Sequence, residues 1–353
     1  MEKIAKDPFL RFLAKKASEQ ALPSTVLFEL SYGCNYQCVH CFNPTHKALA
    51  HELSTEEIER ILTEISGMGV IYLNLTGGEL FTRPDIFHIF EKSKRLGFLI
   101  GINSNGSRIT PEMVKKFEAF DILSIGISIY GATAEVYEKM TQTPGSFNAF
   151  SGGLEVLSKS HIPVELRMPV TTVNYHEIVQ AGEIAKQFGF DFSYTFDIEP
   201  GQNGDKGPLQ YRLSPEEKMR LTIAFDPGEL SEEDDVLNPV KDYLDCACGR
   251  GEQFAVNPYG EMNLCVSFPY PKYDLRKGSV KDGWEFLKAA RMKLGPNATY
   301  ECPSCEFRPF CREGRNDAWL ETGDASRCLP HFKDWARLEK NYCEARWKVS
   351  EKG

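Results

Sequence analysis

Cys34, Cys38 and Cys41 lie in one short stretch, FELSYGCNYQCVHCFNP, spaced C-x3-C-x2-C. Three thiolates at that spacing can hold three irons of a cubane [4Fe–4S] cluster, which leaves the fourth iron open to a small molecule. A structural zinc site is the plainer reading. It wants four ligands, usually as C-x2-C pairs, and His40 or His46 could complete one. Disulfides do not suit the context. The chain has 11 cysteines in 353 residues and begins MEKIAKDPFL, with no apolar h-region or cleavage site. No apolar run reaches the length of a membrane span. These features predict a cytoplasmic chain whose cysteines bind metal rather than pair with each other.

A second cysteine set occupies the last third. Cys246 and Cys248 precede Phe254-Ala-Val-Asn-Pro-Tyr-Gly-Glu-Met-Asn-Leu-Cys265, a pattern that predicts a β-hairpin turning at 257–260. Cys302-Pro-Ser-Cys305 and Cys311 then form C-x2-C-x5-C, and Cys328 comes after them. Seven clustered cysteines are too many for a packing explanation. A zinc ribbon is the alternative to further clusters here.

Polar residues gather where apolar runs end. Thr76-Gly77-Gly78-Glu79 joins two glycines, which permit close backbone approach, to a carboxylate able to accept from an ammonium group. Asn103-Ser-Asn105-Gly106 suits hydroxyl recognition. Ser128 ends a third run, and Arg167 sits among apolar neighbours, where it needs an anionic partner. Each alone reads as a turn or a satisfied strand polar group; four in succession point to one site.

The elements that must position these residues alternate. Short β-branched runs at 26–30, 70–75, 98–103, 123–129, 164–169 and 190–196 read as buried parallel strands. Ser54-Thr-Glu-Glu57 is a capping box opening a helix to about residue 66. Pro84 and Pro111 sit where a first-turn proline belongs. Residues 147–159 and 175–187 carry helical spacing, as does 334–346, which holds Cys343. The net charge of −9 argues against nucleic acid as partner. The acidic run 229–235 reads as a solvated loop. At this length two domains are expected: an N-terminal extension over 1–24 with a short amphipathic helix over 8–18 packed on the strand–helix units, six βα units over 25–205, a linker over 206–245, a cysteine-rich unit over 246–345 and a tail over 346–353.

The cysteine loop, the Gly-Gly-Glu turn, the strand–helix alternation and Asn-Ser-Asn-Gly together resemble the radical S-adenosylmethionine (SAM) enzymes over residues 25–200. The resemblance implies an α/β fold, a partial (β/α)6 TIM-like barrel with chemistry at the C-terminal ends of its strands. It also implies an open iron chelating the methionine moiety of SAM. Gly77, Gly78 and Glu79 would hold the amino group. Asn105, Ser128 and Arg167 would face ribose and carboxylate, and His40 would lie near the adenine. An electron from a flavodoxin or ferredoxin would cleave SAM to a 5′-deoxyadenosyl radical, which takes hydrogen from substrate.

Within that family the last third resembles a small α+β SPASM domain. The pattern assigns Cys302, Cys305, Cys311 and Cys328 to an outer cluster and leaves Cys246, Cys248 and Cys265 for an inner one, three clusters in all. One position departs: after three intervening residues beyond Cys311, where the family has the cysteine that closes the inner cluster, stands Arg315. Cys343 is left as ligand, hydrogen donor or inert thiol. Anaerobic sulfatase maturases carry an aspartate after the hairpin cysteine; Val266 stands here, which argues against that activity. The N-terminal extension is too short for the peptide-recognition domain of some peptide maturases. The resemblance points to oxidative crosslinking of a ribosomally made peptide. A small-molecule dehydrogenase, decarboxylase or epimerase acting on a cofactor precursor, sugar or tetrapyrrole is the alternative, and a non-catalytic metal scaffold is a third.

Overall fold

A computed structural model of the chain describes residues 22–43, 45–231, 251–311 and 314–350. The expected helix over 8–18, most of the acidic run, and Cys246 and Cys248 lie outside the described residues. Six parallel strands, β1 (Thr25–Glu29), β2 (Tyr72–Thr76), β3 (Leu99–Ser104), β4 (Ser124–Ser128), β5 (Val164–Pro169) and β6 (Asp191–Thr195), pair in sequence order. Five expected strands fall within two residues of the observed bounds, and 164–169 coincides with its strand. No strand among the described residues pairs with the outer edge of β6, so the barrel is partial.

Helices return each strand to the next: α1 (Thr55–Gly67), α2 (Ile86–Arg95), α3 (Pro111–Ala119), α4 (Ala134–Thr141), α5 (Ser146–Leu157) and α6 (Ile178–Phe188). The capping box at Ser54 and Glu57 is formed, and α1 buries Ile58, Ile61, Leu62 and Ile65 on the core side. Each contributes about 1.5–3 kcal/mol of apolar burial. Pro111 occupies the first turn of α3 behind the cap of Thr110. Pro84 does not sit in a first turn. Asp85 holds the N-cap position of α2 without a side-chain cap bond, its carboxylate paired with Arg83 at 2.7 Å, and Pro84 precedes it in the turn.

The strands are not apolar throughout. Val26, Phe28, Leu73, Leu75, Ile125 and Leu166 are fully buried and join the helices in one core. The alternate positions are polar. In-register pairing sets Glu29 beside Thr76, Asn103 beside Gly126, Gly126 beside Glu165, and Ser128 beside Arg167. A period of two thus separates a helix-packed face from a polar inner face.

Two findings differ from the sequence-based expectation. The hairpin of β7 (Gln253–Val256) and β8 (Glu261–Asn263) forms as expected, but it continues the barrel sheet. β7 pairs parallel with β1, Val26 beside Phe254, and β9 (Tyr273–Asp274) closes that edge. The described part of the expected linker, 206–231, carries a helix. Ser214 and Glu217 form a second capping box that starts α7 (Pro215–Phe225). After α8 (Val280–Lys293) and α9 (Arg315–Thr322), the long α10 (Pro330–Ser350) packs on α7. Their shared core holds Met219, Leu230, Phe310, Trp335, Ala336 and Cys343.

Cys343 is completely buried there, its thiol directed at the Ser231 carbonyl at 3.5 Å. That favours the packed, inert thiol among its three roles. Cys343→Ala is expected to cost about 1–2 kcal/mol through lost packing and to leave iron content at the wild-type level. Iron loss would make Cys343 a ligand instead.

Candidate functional site

The cysteine loop leaves β1 alongside the exit of β2. The pairing runs on past both strands: Leu30 N–H donates to Thr76 O at 2.9 Å, Gly78 N–H to Ser31 O at 2.7 Å and Glu79 N–H to Gly33 O at 2.8 Å. This approach is what the two glycines permit. Gly77 has φ +140°, and a Cβ there would meet Ser31 O at 2.3 Å; one on Gly78 would meet Gly33 O at 2.2 Å. The Gly-Gly pair is therefore a seat for the backbone entering Cys34. Glu52 fastens the same segment, accepting from Ser31 Oγ at 2.7 Å and Tyr32 N–H at 2.8 Å.

Farther along, the loop closes on itself and on α4. Asn43 Nδ2 donates to Tyr32 O at 2.8 Å, Cys34 N–H to His46 O at 3.1 Å, and Val39 N–H to Met140 O at 2.9 Å. Two sulfurs accept backbone N–H groups at 3.4 Å, Cys34 from Tyr36 and Cys41 from Asn43. Burial pushes all three thiols up, Cys41 to about 12, and Cys38 is raised further by its neighbours Cys41 and Cys34. Three mutually close thiols of this kind become thiolates only beside strong positive charge, which a cluster's irons supply. Among the described residues no three His, Cys, Asp or Glu side chains converge as one metal ion would need. A cubane asks less, because each thiolate meets its own iron. The donor set fits it.

Glu79 is fully buried. Its carboxylate accepts from Ser104 Oγ at 2.9 and 3.0 Å, Asn105 N–H at 2.8 Å and Phe81 N–H at 3.2 Å. Burial raises its carboxyl, against the pull of these donors. It braces the loop after β3 against the turn after β2. Asn105 extends the brace to the cysteine loop, its Nδ2 donating to Asn35 Oδ1 at 3.0 Å. Arg167 finds its anion within its own strand, Glu165 at 2.6 Å, and donates to Asn103 Oδ1 at 2.9 Å. Ser128 neighbours the Tyr130 hydroxyl, which also adjoins Cys38. The His40 ring lies 5.3 Å from that of Tyr130. Its Nδ1 is buried without a partner, and burial lowers it to about 4, so the imidazole is neutral. The structure thus brings all seven expected SAM-contact residues to the C-terminal mouth of β1–β5.

Sequence reasoning missed Glu29 and Gln202. Glu29 ends β1 on the inner face and is fully enclosed. Burial raises its carboxyl to about 7, opposed by hydrogen bonds to Gln202 and Tyr32. A lone acid in an apolar strand was the available signal. Gln202 takes the Tyr32 hydroxyl on its Oε1 at 2.7 Å. It donates its backbone N–H to Phe42 O at 2.9 Å and its Nε2 to Val266 O at 3.4 Å. It therefore joins the cysteine loop to the residue after Cys265. Near that residue, Asn316 Nδ2 donates to Glu199 Oε1 at 3.1 Å, and burial beside Glu199 and Asp197 raises Asp317 to about 7.

None of the nine described cysteines forms a disulfide. Cys302 and Cys305 bracket one 3-10 turn, Cys305 N–H donating to Cys302 O at 3.2 Å; Cys311 ends the next, donating to Arg308 O at 3.1 Å. These three, Cys265 and Cys328 are all half-buried, as ligands at a shielded cluster would be.

The sequence profile of the Radical SAM superfamily matches residues 28–185. The chain is 29% identical to the AdoMet-dependent heme synthase of Methanosarcina barkeri, over 86% of its length and 94% of that protein's. It is 27% identical to mycofactocin maturase MftC of Mycobacterium tuberculosis, over 85% of this chain and 80% of that one. With the PqqA peptide cyclase of Rhodopseudomonas palustris it shares 24% identity over 88% and 86%. In fold it is similar to SuiB of Streptococcus suis, crystallised with precursor peptide SuiA: TM-score 0.68 and 14% identity, over 90% of this chain and 78% of that one.

Two measurements check this geometry. Gly78→Ala drives a methyl into Gly33 O, so thermal stability and the iron held by the cysteine loop should fall together. Wild-type iron content in a folded Gly78→Ala protein would show that the loop tolerates displacement. For Glu29 the folded value lies near 7 and the ordinary carboxyl value near 4.5. Between them the folded state keeps a proton the unfolded state releases, so its contribution to stability falls as pH rises, at about 1.4 kcal/mol per unit, and levels above 7. The stability of wild type relative to Glu29→Gln should decline between pH 5 and 7. A flat difference would mean Glu29 ionises freely.

Proposed function

The chain carries a radical SAM domain over residues 28–185, and from that premise we propose that it oxidises a ribosomally made peptide, closing a crosslink. Cys34, Cys38 and Cys41 would hold a [4Fe–4S] cluster, which with bound SAM would supply the radical chemistry that takes hydrogen from an unactivated C–H bond. The chain's own residues set the place for that chemistry. Gly77 and Gly78 seat the cysteine loop, and Glu79 holds the Asn105 loop against it. Asn105, Ser128, Arg167 and His40 ring the mouth and would take the polar groups and adenine of SAM. The polar inner face below, with Arg167 held by Glu165 and Asn103, is pre-arranged for an oriented polar substrate.

The observation that carries this reading is the cysteine loop itself, three sulfurs at the strand ends with backbone N–H groups already aimed at two of them. The peptide assignment is supported by likeness to a peptide cyclase and a maturase over most of the chain. Cys302, Cys305, Cys311 and Cys328 would hold an outer auxiliary cluster, and Cys246, Cys248 and Cys265 an inner one. A flavodoxin or ferredoxin would deliver electrons. Likeness to a heme synthase over 94% of that protein's length supports a second reading, a small-molecule enzyme acting on a tetrapyrrole.

Reconstituted protein should carry about twelve irons if all three sites are cubanes. With dithionite and SAM under anaerobic conditions, a precursor peptide encoded beside this gene should lose two hydrogens by mass spectrometry. Turnover of a tetrapyrrole, with the peptide unchanged, would support the second reading. Changing Cys34, Cys38 and Cys41 together to Ala should abolish SAM cleavage, and cleavage that persists would sink the assignment.

A further inference from the structure

Arg315 occupies the position where the resembled family places a cluster ligand, and a guanidinium cannot ligate iron. It is nevertheless held firmly. Nη2 donates to the sulfur of Cys302 at 3.5 Å, and Nη1 to the carbonyl of Ala325 at 3.3 Å. The guanidinium carbon lies 5.3 Å from the centre of the Tyr300 ring. A sulfur, a carbonyl and an aromatic face thus fix a permanent cation beside one cysteine of the C-x2-C-x5-C run. Arg308 adds a second positive charge nearby, acting with Arg315 on Tyr300.

We propose that Arg315 is a redox-tuning residue, raising the reduction potential of the cluster held by Cys302, Cys305, Cys311 and Cys328. The proposal rests on the auxiliary-cluster reading above. Its physics is direct. Reduction adds one negative charge, and a cation a few ångströms from the ligand sulfur stabilises the reduced form more than the oxidised one. An N–H···S bond also withdraws electron density from the thiolate, and hydrogen bonds to sulfur are among the levers that set cluster potentials. Arginine suits the task better than lysine. It stays charged when shielded, and its planar fork can meet sulfur, carbonyl and ring at once. The substitution thus exchanges a ligand of the inner cluster for a charge acting on the outer one.

A purely structural role would tie the start of α9 to Ala325 and Tyr300 without touching the potential, so the test reads the potential. Full-length protein in which Cys34, Cys38 and Cys41 are Ala keeps only auxiliary signals. It is reconstituted and titrated against dithionite with paramagnetic resonance detection. Arg315→Gln should lower one midpoint by the equivalent of at least tenfold in the reduction equilibrium, about 59 mV for one electron, with iron content unchanged. Arg315→Lys keeps the charge and loses the fork, and should fall between. It carries the test if the glutamine variant fails to fold. Midpoints equal to wild type in a variant with full iron would overturn the proposal. Wild-type protein holding no auxiliary iron would overturn the cluster reading beneath it, and the iron count shows that before any midpoint is compared.

Discussion

Two backbones meet beyond the ends of β1 and β2, and the site depends on that contact. Strands in a parallel sheet ordinarily diverge into their separate loops. Here Gly78 and Glu79 go on donating to Ser31 and Gly33 at 2.7 and 2.8 Å, so sheet geometry extends into the cysteine loop. Side chains at 77 and 78 would occupy the space of the facing carbonyls. Cys34 thereby inherits its position from two paired interior strands of the sheet. A ligand loop built this way loses little conformational entropy on binding a cluster, since its first residues are already ordered.

A buried carboxylate completes the arrangement. Glu79 accepts from Ser104, Asn105 and Phe81. Its carboxylate is thus a tie between successive strand-end loops. Asn105 passes the tie on to Asn35, inside the cysteine loop. Gln202 performs the equivalent task on the far side, bridging Phe42 and Val266. The cysteine loop is thus held from β2, from β3, from α4 and from the segment after β6. A shift in any one would be felt at the sulfurs.

Much of this was legible in the sequence, and the reasons for the failures are specific. The motif order and the six strands could be read because cysteine spacing and β-branched runs are local signals. The inner polar face was also written there, as alternation of Asn74, Asn103, Glu165 and Arg167 with apolar neighbours, but short apolar runs hide a period of two. The pairing of β7 with β1 was not legible, because it joins residues more than 200 positions apart and no local signal reports it. The helix α7 was missed although Ser214-Pro-Glu-Glu217 repeats the capping box that correctly announced α1. The partner of Arg167 lay two residues away on the same face, where strand geometry alone could have found it.

The buried acids near the cysteines share one electrostatic logic. Glu29 and Asp317 are each held near 7, and Glu199 is raised, chiefly by burial. Clusters held by the cysteines would be negatively charged, so ionised carboxylates close to them would add repulsion to desolvation. Raised carboxyls lessen that cost and still take part in hydrogen bonds. Two of them are also tied into the frame: Glu29 to Tyr32 and Gln202, Glu199 to Asn316. The permanent charges, Arg167 on the inner wall and Arg315 beside Cys302, are the ones that can act on an anion or a sulfur at any working pH.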